Sequence, residues 1–168
     1  PDVLRKLGVP DLPLAITKDN LKKVMSDKED HQLPPELVKK LLNAIADPVM
    51  IFESASRADS FVVLTDLKHE GRSVMVTISP NVKQQRTDVN EITSAYRRKS
   101  ESWYAYQIEL GNLLYQNKKK SLAWARTEGL QLPRVRKLPA RLQDNRLLTE
   151  ADIVKPVAPK APGTPLAS

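Results

Sequence analysis

The sequence predicts an α+β domain: N-terminal helices packed on a small antiparallel sheet of four to five strands, with further helices and an extended Pro-rich C-terminal tail. Three observations carry this. Before Pro48, apolar residues recur at helical spacing, as Leu21, Val24 and Met25 and then Leu37, Leu41, Leu42 and Ile45. From Val49 onward the period drops to two and β-branched residues concentrate, as in Val74, Val76 and Ile78 alternating against Met75 and Thr77. Short polar connections join these runs, which favours antiparallel neighbours.

The first residues, Pro1 to Pro13, hold an apolar lead-in too punctuated by Pro10 and Pro13 for a long helix. Leu14-Ala15-Ile16 reads as a short extended piece. Thr17 then caps a helix that runs to about Lys28, with Lys22 and Lys23 flanking its inner face. Leu33-Pro34-Pro35-Glu36 opens a second helix, since proline fits a first turn, and Asp47-Pro48 closes it. His31 falls in the connection between the two. Strands follow at Val49 to Glu53, Ser60 to Asp66 and Ser73 to Ser79, the last two joined by a turn at His69-Glu70-Gly71-Arg72. Pro80 to Asp88 reads as a polar loop, and Val89 to Tyr96 as the fourth strand. Ser100 caps a helix with Trp103, Tyr104, Tyr106 and Ile108, stopped at Gly111. Leu113-Leu114-Tyr115 is a short strand. Lys118-Lys119-Lys120 leads into a last helix with Leu122, Ala123 and Trp124, closed by Gly129. Leu130 to Pro133 returns the chain to the body.

The organisation expected is a body over 1–133, a partly ordered extension over 134–154 and a Pro-rich tail or linker over 155–168. Proline at 156, 159, 162 and 165 suits an extended spacer. A capped turn is expected near Leu148 to Ile153. The chain begins at Pro1, so it reads as part of a larger multidomain protein.

Composition narrows the chemistry. A length of 168 residues suffices for one domain with a real core. The formal net charge of +7 suits an anionic partner such as RNA, DNA or a membrane surface. The chain has no Cys and 2 His, which excludes thiolate sites and argues against a histidine-rich metal centre; no metal and no cofactor are expected. No apolar run approaches the roughly 20 residues that cross a bilayer, so no membrane anchor is expected. A phosphate-cradling Gly-rich loop and a nucleophile elbow are both missing from the sequence.

The stretch with chemical promise is Ile92-Thr93-Ser94-Ala95-Tyr96-Arg97-Arg98-Lys99. Simple alternation puts Ile92, Ser94 and Tyr96 on one face, with cations at the strand's end. Such a group suits a phosphate, or the charge that develops as a phosphodiester breaks. An ordinary edge strand with a solvated basic turn would hold the same residues. Metal-independent RNA cleavage needs a base for the 2′-hydroxyl, an acid for the leaving oxygen and cations for the phosphorane. His31 is a candidate acid or base because imidazole titrates near neutrality. Lys23 is a candidate cation, and Glu91 a base that alternates away from Ser94. Lys118 to Lys120 would track a phosphate backbone. Trp103, Tyr104, Tyr106, Tyr115 and Trp124 would stack on bases or, as their spacing favours, pack in the core.

The sequence resembles the C-terminal domain of MuF-type phage proteins, from about Leu4 to Ile153. That group belongs to the phage branch of the barnase–EndoU–colicin–RelE-like nuclease superfamily. The carriers are Leu14-Ala15-Ile16-Thr17, Leu21-Lys22-Lys23 and His31; Asp47 to Ser54; Val63 to Leu67; Ile92 to Tyr96; Gly111 to Tyr115; Trp124; Gly129 to Pro133; and Leu147 to Val154. The family commonly has Val-Tyr-Gly-Lys after the serine, where this chain has Ala95-Tyr96-Arg97-Arg98. The resemblance implies helices on a small antiparallel sheet. It also implies a ribonuclease-like toxin or effector carried by phages or other mobile elements.

Carried over position by position, Lys23, His31, Ser94, Tyr96 and Gln131 match the family's recurrent polar positions. The expected catalytic set is His31, Tyr96, Ser94, Lys23 and Arg97, with Arg98, Lys99, Lys118 and Gln131 binding substrate. Expected partners are RNA, tRNA among the possibilities, and a cognate immunity or inhibitor protein. The expected location is the cytoplasm of a producing or target bacterial cell, reached from a virion or through a secretion system. Two other readings stay open: a non-catalytic module that binds nucleic acid or an inhibitor, and ADP-ribosyl or nucleotidyl transfer on a related scaffold.

Overall fold

Alternating apolar residues from Met50 to Ile92 build the centre of the fold. The computed structural model describes residues 2–9, 12, 14–17, 20–22, 35–54, 59–69, 72–84, 87–97, 102–142 and 145–153; residues 69, 72, 81–84, 87–90, 93–97 and 102 are described by their backbone. The strands are β1 (Leu14–Ala15), β2 (Met50–Glu53), β3 (Phe61–His69), β4 (Arg72–Gln84), β5 (Thr87–Arg97), β6 (Leu113–Gln116) and β7 (Leu148–Thr149). The helices are α1 (Asp2–Lys6), α2 (Pro35–Ala46), α3 (Ser102–Glu109) and α4 (Lys118–Thr127), with a 3₁₀ turn at Glu150–Asp152.

The strands form one sheet of 7 strands in the order β1-β5-β4-β3-β2-β6-β7. The α+β class is as the sequence predicts, but the sheet is wider than the four to five strands expected. Its five middle strands are antiparallel, while the outer pairs β1–β5 and β6–β7 are parallel. Each outer strand has two residues, too short to leave a periodic signal in sequence.

Strand alternation sends side chains to two cores. One face carries Ile51, Val63, Val74, Val76, Ile78 and Ile92, covered by Val3 and Leu4 of α1, Leu41 and Ile45 of α2, and Leu142. The other carries Met50, Phe52, Val62, Leu64 and Met75, covered by Tyr104 and Ile108 of α3 and Trp124 and Ala125 of α4. Burying each such side chain contributes about 1.5–3 kcal/mol. Leu138 and Ile153 pack on the first core and Val135 and Leu147 on the second, so these described residues beyond 133 lie against the body.

Helix ends follow local chemistry. Thr17 Oγ1 accepts from Asn20 N–H at 3.1 Å, the cap expected there, and residues 20–22 are helical. The remainder of the expected first helix lies outside the described residues. Asn117 caps α4, its Oδ1 accepting from Lys120 N–H at 3.0 Å. Gly111 sits at φ +82°, where it ends α3 and turns the chain into β6.

Two helical stripes differ from expectation. In α2, Leu42 is exposed and Ala44 buried; in α4, Leu122 and Ala123 are exposed while Ser121, Trp124 and Ala125 are buried. The face of α4 is set by the large ring of Trp124 and by Ser121, whose Oγ donates to the Val49 carbonyl at 3.2 Å.

Of the stretch Pro80 to Asp88, expected as a loop, the described residues 80–84 and 87–88 belong instead to a β-ribbon. β4 runs on to Gln84 and pairs with β5 through Val82–Val89, Lys83–Asp88 and Gln84–Thr87. The register shifts between Ser79 and Val82, which leaves Pro80 in a bulge where its missing N–H costs no ladder bond.

Candidate functional site

The β5 segment singled out by sequence pairs with β4 at the end of the antiparallel ladder. Thr77 pairs with Ser94, Met75 with Tyr96 and Val74 with Arg97. The register shifts between Thr77 and Ile78, because Ile78 pairs with Ile92 and Thr93 is the extra residue. Ile92, Ser94 and Tyr96 therefore do not share a face, contrary to simple alternation. Directly paired residues share a face. The Ile92 position belongs with Ile78, and the Arg97 position with Val74, on the α1–α2 side; the Ser94 and Tyr96 positions belong with Thr77 and Met75 on the α3–α4 side, so the register does not bring Arg97 to the face of Ser94 and Tyr96.

The N-terminal segment meets the same strand from its outer edge. β1 lies parallel to β5, with Leu14 beside Asn90 and Ala15 beside Glu91. Asn20 Nδ2 then donates to Glu91 Oε1 and to the Ile92 carbonyl, each at 3.4 Å. Helical residues 20–22, which lead directly to Lys23, thus start against the strand that carries Ser94, Tyr96 and Arg97. Lys23, His31, Arg98 and Lys99 lie outside the described residues.

Gln131 is exposed, between Leu130 and Leu132, which pack on the core of the α3–α4 face. That core includes Met75, the cross-strand neighbour of Tyr96. Gln131 and the Tyr96 position therefore belong to the same face of the sheet.

The basic run at the start of α4 is divided in use. Lys118 has an exposed side chain, and its backbone N–H donates to Glu150 Oε2 at 3.0 Å. Lys120 is a structural latch. Its Nζ donates to the Asp47 carbonyl at 2.7 Å and to Asp66 Oδ2 at 2.9 Å, and lies 3.1 Å from Asp47 Oδ2. The two aspartates hold the lysine above its usual pKa, outweighing the opposite pull of burial. Its charge is engaged within the fold, which corrects the expectation that Lys120 tracks a phosphate backbone.

The aromatic residues go mostly to packing. Tyr104 and Trp124 meet edge to face with centroids 4.6 Å apart, and Trp103 meets both Phe52 and Tyr104 at 5.3 Å. Tyr115 is buried, and its desolvation, helped by Asp47, Glu150 and Asp152, pushes the phenol up to about 12. Tyr106 alone among these five is exposed. A cleft of about 170 Å³ beside Trp124 is lined by Asp66, Lys68, Ser73 and Lys120. At its side Glu128 Oε1 makes no hydrogen bond and lies 3.9 Å from Lys68 Nζ.

Among the described residues no group of three or more His, Cys, Asp or Glu could hold a metal ion, and no helix is long and apolar enough to cross a membrane.

Residues 22–123, more than half of the chain, match the family model described as the phage MuF C-terminal domain. No curated protein and no solved structure matches the chain. The matched stretch contains the α2 helix, the antiparallel strands β2 to β6, the bulged β5 segment and the Lys120 latch. The chain belongs to the phage MuF C-terminal domain family.

Proposed function

We propose that this chain is a metal-independent, endoribonuclease-like toxin or effector domain of a phage or mobile-element protein. The observation that supports the reading is the docking of the N-terminal segment on β5. The β1–β5 pairing and the Asn20 bonds start the Lys23-bearing segment at the strand of Ser94, Tyr96 and Arg97.

The chemistry is a transesterification. A base takes the proton of a ribose 2′-hydroxyl, whose oxygen attacks the adjacent phosphorus. The bond to the 5′-oxygen breaks, an acid protonates that oxygen, and a 2′,3′-cyclic phosphate remains. His31 serves as general acid or base, and Tyr96 donates or positions the second proton. Lys23 stabilises the charge on the phosphorane and Ser94 donates to a phosphate oxygen, while Arg97, whose position is on the opposite face of β5, holds a flanking phosphate. Gln131, Lys118, Arg98 and Lys99 hold flanking parts of the RNA.

Cleavage of labelled RNA in the presence of a chelator tests this. His31→Ala and Tyr96→Phe should each slow cleavage by about 10²–10⁴-fold while circular dichroism shows an unchanged fold. Well-folded wild-type protein that cleaves no RNA, or variants as active as wild type, would overturn it. Salt-sensitive RNA binding without turnover would leave a binding module in its place.

A further inference from the structure

A basic cavity lies on the α1 side of the sheet, away from the β5 segment. It measures about 410 Å³ and takes Arg5 and Lys6 from α1 and Arg141 and Arg146 from the far end of the chain. Asp152 is the one acidic residue that lines it. Leu142 and Leu148 supply an apolar part of the wall.

The arginines are held in place from behind. Arg141 Nε donates to Glu53 Oε1 at 2.7 Å, and its guanidinium carbon lies 4.7 Å from the centroid of the Phe61 ring. Arg146 forms a two-point pair with Asp152, at 2.8 and 3.1 Å. Arg5 pairs with Asp2. Arg141 Nη2 also lies 3.9 Å from Asp59 Oδ1, and each guanidinium carries five N–H donors. Lys6 has no acidic partner within ion-pair distance among the described residues, and its side chain is exposed. Favourable placement at the end of α1 would account for Arg5 and Lys6. It does not account for Arg141 and Arg146, which arrive from a segment some 135 residues later in the chain and face the same space.

We infer that this cavity is a second RNA site, holding one nucleotide unit of the substrate strand outside the point of cleavage. The cations take its phosphate and the leucines lie against its sugar or base. The volume falls in the roughly 300–1,000 Å³ range of small-molecule sites, which is more room than a bare phosphate fills. Distance also fits. Phe61, beneath Arg141, pairs with Ile78, and Ile78 pairs with Ile92. Two strand spacings, about 10 Å of sheet, therefore separate the Arg141 wall from β5. The Ser94 and Tyr96 positions face the other side of the sheet, so the substrate strand passes around the β5 edge between the two. The inference rests on the RNA substrate proposed above.

Fluorescence anisotropy of a labelled single-stranded RNA, titrated at several salt concentrations, tests it. The double variant Arg5→Gln/Lys6→Gln should bind about tenfold more weakly or worse. Its plot of log affinity against log salt should be shallower by about 1.4, for two lost phosphate contacts on a single strand. The control pair Lys39→Gln/Arg126→Gln removes the same charge from exposed positions elsewhere on the fold, and should bind like wild type. Uridine monophosphate should compete for the cavity better than inorganic phosphate. Unchanged affinity in Arg5→Gln/Lys6→Gln, or an equal loss in the control pair, would overturn the inference. Binding that depends on Arg5 and Lys6 in a protein that cleaves nothing would keep the cavity and remove the ribonuclease reading. Cleavage with cavity-independent binding would do the reverse.

Discussion

Replacing Trp124 by Phe isolates one buried polar contact on which the α4 side of the fold depends. The indole Nε1–H donates to Ser73 Oγ at 3.0 Å, and both residues are 5% exposed. Phenylalanine keeps a ring edge against Tyr104 but has no donor for Ser73. A buried hydroxyl left without its partner costs about 1–3 kcal/mol. The smaller ring buries roughly 40 Å² less apolar surface, worth about 1 kcal/mol. Trp124→Phe should therefore cost about 2–4 kcal/mol; the water that the neighbouring cleft of about 170 Å³ admits to Ser73 sets the lower end. For a chain of this length that lowers Tm by about 5–15 °C. Ser73→Ala removes the hydroxyl that would otherwise be orphaned. The double variant should thus be more stable than the sum of single losses implies, by about 1–2 kcal/mol. Urea unfolding followed by far-ultraviolet circular dichroism measures all four corners of the cycle. Additivity within about 0.5 kcal/mol would refute the claim that this hydrogen bond couples α4 to β4.

Two further perturbations probe other joints. At Gly111, φ is +82° and an added Cβ would lie 2.8 Å from Lys137 Cγ. Gly111→Ala should cost about 1–2 kcal/mol from the backbone alone, since the lysine can swing aside; denaturant unfolding that finds no loss would contradict this. Asp152 is held down to about 2 by the hydrogen bond from Arg146, the backbone N–H of Thr149 and the guanidinium charge. A depressed folded pKa gives stability that is present above the unfolded value near 3.8 and is lost as pH falls through 2. Stability curves of wild type and Arg146→Gln should converge across that window and stay apart above it, and parallel curves throughout would show that the pair is not linked to folding.

The elements that sequence made legible are those whose signals are local. The Thr17 cap, the proline start of α2, the Gly111 stop and the capping box of Thr149 and Asp152 each depend on residues within a turn of one another. Strands β2 to β6 were legible by alternation and by short connections. Leu14-Ala15-Ile16 was legible as an extended piece, but the parallel pairing of β1, and β7 altogether, were not, because partners far away in the chain define them. The ribbon beyond Ser79 was hidden for a different reason. Its residues are polar and include Pro80, so nothing in composition separates a ladder that leaves the core from a loop. Leu42 and Leu122 misled because hydrophobicity alone does not rank a leucine below a neighbouring small residue that lets a helix approach the sheet.

The candidate site shows the same limit most sharply. Residue types from 94 to 97 pointed to phosphate chemistry, but alternation assigned the face of Ser94 and Tyr96 by assuming an unbroken ladder. Inserting Thr93 as an unpaired residue moves everything after it to the opposite face. That shift has a functional consequence. It takes the Tyr96 position away from the side covered by α1 and α2 and sets it beside Met75, on whose core Leu130 and Leu132 carry Gln131. Two positions that match the family's recurrent polar pattern are thereby brought to one face of the sheet. The N-terminal segment meets β5 at its outer edge, through β1 and Asn20, with Leu14 and Ile16 packed on the α1–α2 core. A bulge that sequence alternation cannot register therefore decides which positions of β5 share a face with Gln131: Ser94 and Tyr96, but not Arg97.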